Sequence, residues 1–428
     1  MRRAYNMFIL YDILYLLFLL AYLPVMVLRG KYHGGLWTRL GFVNVQKLGL
    51  PRAGVPVLWL HAVSVGEVQA VGGLIAKIKG KYPGYSIVLS TVTPTGFNLA
   101  QTSLGDKACV IYAPLDFSWA VGAYIRCFQP KVYVTAETEI WPNLFSALFR
   151  QGVPIIQVNG RISTESYGRY KRIRPILKRT LKNVSLFCMQ SPEDAERIVG
   201  LGADKEKVCV VGNMKFDGQA AGPDYQRKEI GIAADEIVWV AGSTHDGEEN
   251  IVLRVFRGLK GTRAALRLII APRHIERAGH VMTMVEQHGY FPVRFSQLSG
   301  TPLTKGGVIV IDTIGDLRRL YGIADIVFMG KSLTAHGGQN MLEPIFYGKP
   351  VIVGPFTENF QHVVELLRQG QAILQVRSEE DLGELLKQLI KDPDFGKKIG
   401  AQAARIIGRN QGATGKTLAR LEPYIPAV

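Results

Sequence analysis

Residues 330–359 read GKSLTAHGGQNMLEPIFYGKPVIVGPFTEN. The run before them, IADIVFM (323–329), is short and apolar and suits a buried strand, and PVIVGP (350–355) repeats that pattern after a helical stretch. Strand, glycine-rich loop, helix and strand in this order predict a parallel sheet, with ligand-binding groups at the carboxyl ends of its strands. Gly330, Gly337 and Gly338 let the backbone come close to a bound group. Free N–H groups of the loop, and the positive end of a helix beginning near Asn340, are then expected to favour phosphate. Glu343, one turn into that helix, is placed to accept hydrogen bonds from ribose hydroxyls or to serve as an N-terminal dipole partner.

The same rhythm runs through the chain. VLWLHA, SIVLSTV, ACVIYA, KVYVTA, PIIQVN, LFCMQ and KVCVVG alternate with helical patterns in the first half; EIVWVAG, LRLIIAP, VIVID, DIVFMG, PVIVGP and AILQV do so in the second. Such alternation predicts two parallel α/β sheets, each covered on both faces. The chain has 428 residues, which favours two domains. The Gly-rich, aperiodic stretch 212–225 is the expected linker, so that residues 1–42 form an anchor and juxtamembrane segment, 43–215 a first Rossmann-like domain and 216–428 a second. The active site is expected in the cleft between them.

A net charge of +16 implies anionic partners. From Met7 to Leu28 the chain is apolar apart from Asp12, long enough at about 1.5 Å per residue to cross a hydrocarbon core of about 30 Å. No small-residue cleavage site follows, so an uncleaved single-pass anchor is expected; Asp12 and Pro24 keep open a helix lying in the interface. Arg29, Lys31 and Arg39 outnumber Arg2 and Arg3, which places the body on the cytoplasmic side. The four cysteines have no CxxC spacing and are expected to be free thiols. No HExxH or similar pattern is present, so no metal site is expected, and no GxGxxG opens either domain. GATGKT (412–417) lacks the first glycine of a phosphate loop and a preceding strand, and reads as a turn.

Seven segments carry a resemblance. LHAVSVGE (60–67), STVTPTG (90–96), AETEIWPN (136–143), NGRIS (159–163), AGSTHDGEE (241–249), APRH (271–274) and the loop quoted first occur in this order. Together they resemble the 3-deoxy-D-manno-octulosonate (Kdo) transferases of lipopolysaccharide synthesis. The resemblance implies a GT-B glycosyltransferase that uses CMP-Kdo as donor and the lipid A precursor lipid IV(A) as acceptor, needs no cofactor, and sits in the inner membrane facing the cytoplasm.

The residues support part of this unaided. Glu67 follows a strand and can serve as the one general base that an inverting sugar transfer needs, or as a helix-start carboxylate; the family's catalytic SVGE falls on it. Glu137 and Glu139 stand at a strand end, and the family's transition-state role falls on Glu137 and on Lys215 in NMKFD. His61 reads as a packed strand-end histidine, and Trp141 and Asn143 as loop-shaping residues. The family's nucleotide contacts fall on Arg273, His274, Ile314, Gly315, Asp316, Asn340, Met341, Leu342 and Glu343. Ser243 and Thr244 are read as a second phosphate loop or as caps of a helix beginning at His245. RYKRIRPILKRTLKNV (169–184) carries seven Lys or Arg and no acid, with Ile176, Leu177, Leu181 and Val184 near one face. It reads as a docking element for an anionic membrane surface or as a solvated basic helix. Nucleic acid is not an expected partner, since no recognition module is evident. A GT-B enzyme with a different nucleotide sugar and a catalytically silent scaffold are the rival readings.

Overall fold

Every residue of the strand Val57–His61 is buried, and its two faces meet different helices. Leu58 and Leu60 join Val68, Val71, Leu74 and Ile75 of the helix Val65–Lys81. Val57 and Trp59 join Tyr124, Phe128, Phe145 and Leu148 on the other side. Alternation of side chains along a strand makes this division automatic. It explains why the strands read as continuous apolar runs: both faces of a parallel sheet are covered.

The computed structural model describes residues 11–17, 19–21, 35–43, 54–218, 225–259, 265–298 and 303–426. The chain forms two units, Met1–Asp217 with Gln411–Val428, and Gly218–Asn410. In the first, β1 (Val57–His61), β2 (Ser86–Thr91), β3 (Cys109–Tyr112), β4 (Pro130–Ala136), β5 (Ile155–Gly160), β6 (Leu186–Met189) and β7 (Val208–Val210) form a parallel sheet of order β3-β2-β1-β4-β5-β6-β7. In the second, β8 (Ile237–Thr244), β9 (Leu266–Pro272), β10 (Pro292–Arg294), β11 (Val308–Val310), β12 (Ile326–Met329), β13 (Val351–Val353) and β14 (Leu374–Gln375) form a parallel sheet of order β10-β11-β9-β8-β12-β13-β14. The order reverses between β1 and β4 in one sheet and between β8 and β12 in the other. In open α/β sheets the crevice at such a reversal is where ligands bind.

The expected strands are present, and β10 is an addition at a sheet edge. Its three residues are too short for a period-2 signal, and Phe291 just before it is 93% exposed. The expected second domain, 216–428, is corrected at its end. The helix Ala413–Leu421 belongs to the first unit, because Ala413, Leu421 and Ile425 enter its core. GATGKT, expected as a turn in the C-terminal helical region, is the start of that helix, with Gly412 before it at φ 99°.

Much of the apolar run Met7 to Leu28 lies outside the described residues; 11–17 and 19–21 are helical. Among the described residues no helix is long and apolar enough to cross a membrane. Asp12, awkward for a bilayer, faces protein. Its carboxylate accepts bonds from Ser118 N (3.1 Å), Ser118 Oγ (2.6 Å) and Asn143 Nδ2 (2.7 Å). Tyr15 and Leu19 pack with Leu36 and Leu40 against Leu115, Phe117 and Ala120. The four cysteines form no disulfide, and Cys188 and Cys209 are neighbours in register on β6 and β7, 3.8 Å apart at sulfur.

Candidate functional site

In the first unit, the loops leaving β1 and β4 flank the reversal of strand order. Ser64 ends the β1 loop and Glu67 lies in the first turn of the following helix. The Glu67 carboxylate accepts the Val63 N–H (2.8 Å) and the Ser64 hydroxyl (2.9 Å) and is only 7% exposed. Burial, with Glu137 as a second negative neighbour, pushes its pKa up to about 7. Each oxygen already accepts one bond, and a carboxylate oxygen has room for another. Glu67 is therefore both a helix-start carboxylate and a group poised to take a proton near neutral pH.

Glu137 follows β4 with φ 53°, in the left-handed region that non-glycine residues rarely adopt. Its side chain pairs with Lys215 Nζ at 2.7 Å. Lys215 lies in the short 3-10 helix Met214–Asp217, which is held at both ends. Asn159 Oδ1 accepts Met214 N (2.9 Å), and the Asp217 carboxylate accepts Gly412 N (2.6 Å) and Thr414 N. The helix start in GATGKT thus binds an anion after all, the chain's own Asp217. Glu139 is pushed up to about 8 by burial and by Glu67 and Glu137, which makes it a protonated neighbour at pH 7. His61 is a packed strand-end residue as expected, bonded to Ser90 Oγ at 2.9 Å, and burial lowers it to about 4. Asn143 shapes its loop: its backbone N–H and side-chain amide bond the carboxylate and carbonyl of Asp116.

In the second unit, Arg273 and His274 follow β9 and are exposed; His274 stands 5.8 Å from His245 between ring centres and 3.6 Å from Glu276. Ile314 is 87% exposed, Gly315 has φ 96°, and Asp316 accepts the Tyr225 hydroxyl at 2.6 Å. Asn340 Nδ2 donates to Glu343 Oε1 (3.1 Å), whereas Met341 and Leu342 are buried. Burial raises the pKa of Glu343, while Arg318, Asn340 and Arg273 lower it. Arg318 was not among the sequence candidates and joins Arg273 as a cation facing Glu343.

Four expectations are refined or changed here. The helix expected to begin near Asn340 is the single turn Leu342–Phe346. The loop's amides are not all free: Lys331, Ser332 and Leu333 donate to Glu248, Gly337 donates to Glu358, and Gly338 donates to the Lys331 carbonyl. A phosphate therefore lacks these five donors. Thr244 is fully buried and bonds Glu249 at 3.0 Å, so it neither offers its hydroxyl to a phosphate nor caps a helix, which begins at Glu248 rather than His245. The basic stretch 169–184 is also split, into helices Thr164–Arg172 and Arg174–Leu181. Leu177, Leu181 and Val184 are buried, but Ile176 is turned outward with Ile173, both about half exposed.

Sequence reasoning passed over Asn159, Asp217, Glu248, Glu249 and Arg318. One of them, Asn159, shares a backbone conformation with residues of the quoted motifs. Of the six non-glycine residues with positive φ among the described residues, Glu137, Asn159, Ser243 and Lys331 lie at the carboxyl ends of β4, β5, β8 and β12. Strained backbone concentrates at such sites, and three of the four fall within quoted motifs, the fourth within the opening loop.

Residues 35–218 match the family model described as 3-deoxy-D-manno-octulosonic-acid transferase (kdotransferase), and residues 250–406 match glycosyl transferases group 1. A 3-deoxy-D-manno-octulosonic acid transferase from Haemophilus influenzae is 34% identical over 92% of this chain and 92% of its own. One from Aquifex aeolicus is 32% identical over 78% of this chain and 86% of its own. Among solved structures, the UDP-GlcNAc 2-epimerase of Neisseria meningitidis is 14% identical, covers 86% of this chain and 100% of its own, and superposes with a TM-score of 0.57. That likeness is one of fold alone.

Proposed function

The chain belongs to the 3-deoxy-D-manno-octulosonic acid transferases, glycosyltransferases of the GT-B fold, and on that premise we propose that it transfers Kdo from CMP-Kdo to lipid IV(A) with inversion at the anomeric carbon. Glu67 takes the proton of the acceptor hydroxyl as its oxygen bonds to the anomeric carbon, and the bond from that carbon to the CMP phosphate breaks. The observation that carries this assignment is the Glu67 carboxyl itself. It is buried, held by two hydrogen bonds at the strand-order reversal, and raised to about 7, which suits a base at neutral pH. The Lys215–Glu137 pair supports charge in the transition state: the ammonium is oriented by a carboxylate before substrate arrives.

Donor recognition falls to Arg273, His274, Ile314, Gly315, Asp316, Asn340, Met341, Leu342 and Glu343. Exposed Arg273 is the phosphate partner that the occupied loop amides cannot be. Met341 and Leu342, both buried, contribute through their backbone. Glu343, held by Asn340, faces ribose.

The enzyme works at the cytoplasmic face of the inner membrane, attached through its N-terminal segment. With Asp12 bonded to Ser118 and Asn143, Ile13, Leu14, Leu16, Leu17 and Leu20 are 42–58% exposed, and Trp37, Phe42 and Trp119 are also more than half exposed. An apolar face of this kind suits the headgroup and acyl boundary. Basic residues of 169–184, with Ile173 and Ile176, supply an anionic-lipid contact. The test is mass spectrometry of the product made from CMP-Kdo and lipid IV(A). A mass increase of one or more Kdo units with wild-type protein, and none with Glu67→Gln, is expected. A product formed equally by the variant would remove Glu67 from its role.

A further inference from the structure

Glu248 and Glu249 are consecutive, fully buried, and placed in the first turn of the helix Glu248–Gly258. Two buried carboxylates side by side are costly unless each is thoroughly hydrogen-bonded. Glu248 accepts four backbone N–H groups from two loops. Oε2 takes His245 N (2.9 Å) from the loop after β8 and Lys331 N (2.7 Å) from the loop after β12. Oε1 takes Ser332 N and Leu333 N, both at 3.0 Å. Glu249 turns to the third side. Its carboxylate accepts Thr244 Oγ1 (3.0 Å) and the Arg277 guanidinium (2.7 and 3.3 Å), three residues beyond His274 in the turn after β9.

We propose that Glu248 and Glu249 are positioning residues, which hold the loops after β8, β9 and β12 in nucleotide-binding geometry before the nucleotide arrives. The proposal rests on the donor-site reading given above. These bonds are not needed to align the strands, because the β8–β12 and β8–β9 ladders already do so. They act where those ladders end, on segments that would otherwise diverge at the strand-order reversal. The close approach is built in. A Cβ on Gly330 would lie 2.5 Å from the Ser243 carbonyl oxygen and 2.8 Å from Glu248 Oε2, so only glycine lets the β12 loop reach the carboxylate. Beyond it, Ser332 Oγ accepts Gly354 N at 2.8 Å, and Glu358 holds Gly337 N and His336, each at 2.7 Å. The loop carrying Asn340 to Glu343 is thereby organised around the protein's own carboxylates, not around the ligand's anion.

Glu248→Gln keeps the shape but turns an amide NH2 towards N–H donors that need an acceptor. The expected result is a rise of about tenfold or more in the dissociation constant of CMP and in KM for CMP-Kdo, with kcat at saturating donor within about threefold and KM for the lipid acceptor unchanged. Loss of folded enzyme alone would lower the apparent kcat and leave both KM values and the CMP dissociation constant unchanged. Amide hydrogen exchange in the unliganded wild-type protein tests the proposal without any substitution: His245, Lys331, Ser332 and Leu333 are expected to be protected before CMP is added. Unprotected exchange at these amides, or wild-type CMP affinity in Glu248→Gln, overturns the positioning role alone. Failure of CMP to bind the wild-type protein would overturn this role together with the donor-site reading.

Discussion

At the scale of single residues, the raised pKa of Glu67 links catalysis to stability. In the folded protein the carboxyl keeps its proton to about pH 7, against an ordinary value of 4.5. Protonation is thus favoured by folding; the stabilisation is complete below the unfolded value and is lost as pH rises through 7. Glu67→Gln should therefore raise stability at pH 8 by about 1–3 kcal/mol and leave it nearly unchanged at pH 4, while turnover falls by at least about a thousandfold. Chemical denaturation at both pH values, beside initial rates, checks this; a variant less stable than wild type at pH 8 would contradict the assignment. The same carboxyl should appear as the acidic limb of kcat/KM, with activity rising towards pH 7 as the base ionises. A limb centred near pH 4.5 would mean that Glu67 is solvated in the working enzyme.

The working parts of this chain at the scale of elements are short segments held by distant ones. Lys215 sits on a four-residue 3-10 helix, which has little stability of its own. Asn159 and Asp217 fasten it, the latter to the start of the helix Ala413–Leu421. Asp217→Asn removes a charge from a helix N-terminus and half of its acceptor capacity, a cost of about 1–2 kcal/mol. We expect kcat to fall about tenfold with CMP affinity retained, because Lys215 shifts while the donor loops do not. Steady-state kinetics with CMP titration decides it, and unchanged kcat would show that the C-terminal helix has no part in placing Lys215. No local pattern in NMKFD or GATGKT foretells this, since the two segments are nearly 200 positions apart and each is unremarkable alone.

For the molecule as a whole, the question is how it meets a membrane. Leu14 and Leu17 are 57% and 58% exposed on a helix whose Asp12 holds it to the first unit. Leu14→Glu with Leu17→Glu should leave that attachment intact, reduce flotation with neutral vesicles to background, and keep turnover on detergent-dispersed acceptor within about threefold. Residual binding to anionic vesicles should fade at high salt, where the charges of 169–184 are screened over a Debye length of about 3–8 Å. Flotation unchanged by the double substitution would place membrane contact elsewhere.

Local chemistry decided a great deal in this protein. Apolar runs of strand length separated by glycine turns determined two parallel sheets, and the residue types at strand ends marked Glu67, Glu137, Arg273 and Glu343 for chemistry, because a parallel strand delivers its next residues to one edge. Tertiary structure alone decided which groups remain available there. The amides of Lys331 to Leu333 look free in sequence but are taken by Glu248, eighty-odd positions earlier. Asp12 reads as a flaw in a membrane helix and is a tether to Ser118 and Asn143. The C-terminal eighteen residues return to the first unit, Gln411–Val428 with Met1–Asp217. In each case a charged or polar group finds its partner far along the chain, and hydrogen bonding, unlike hydrophobic periodicity, leaves no trace in spacing until the fold brings donor and acceptor together.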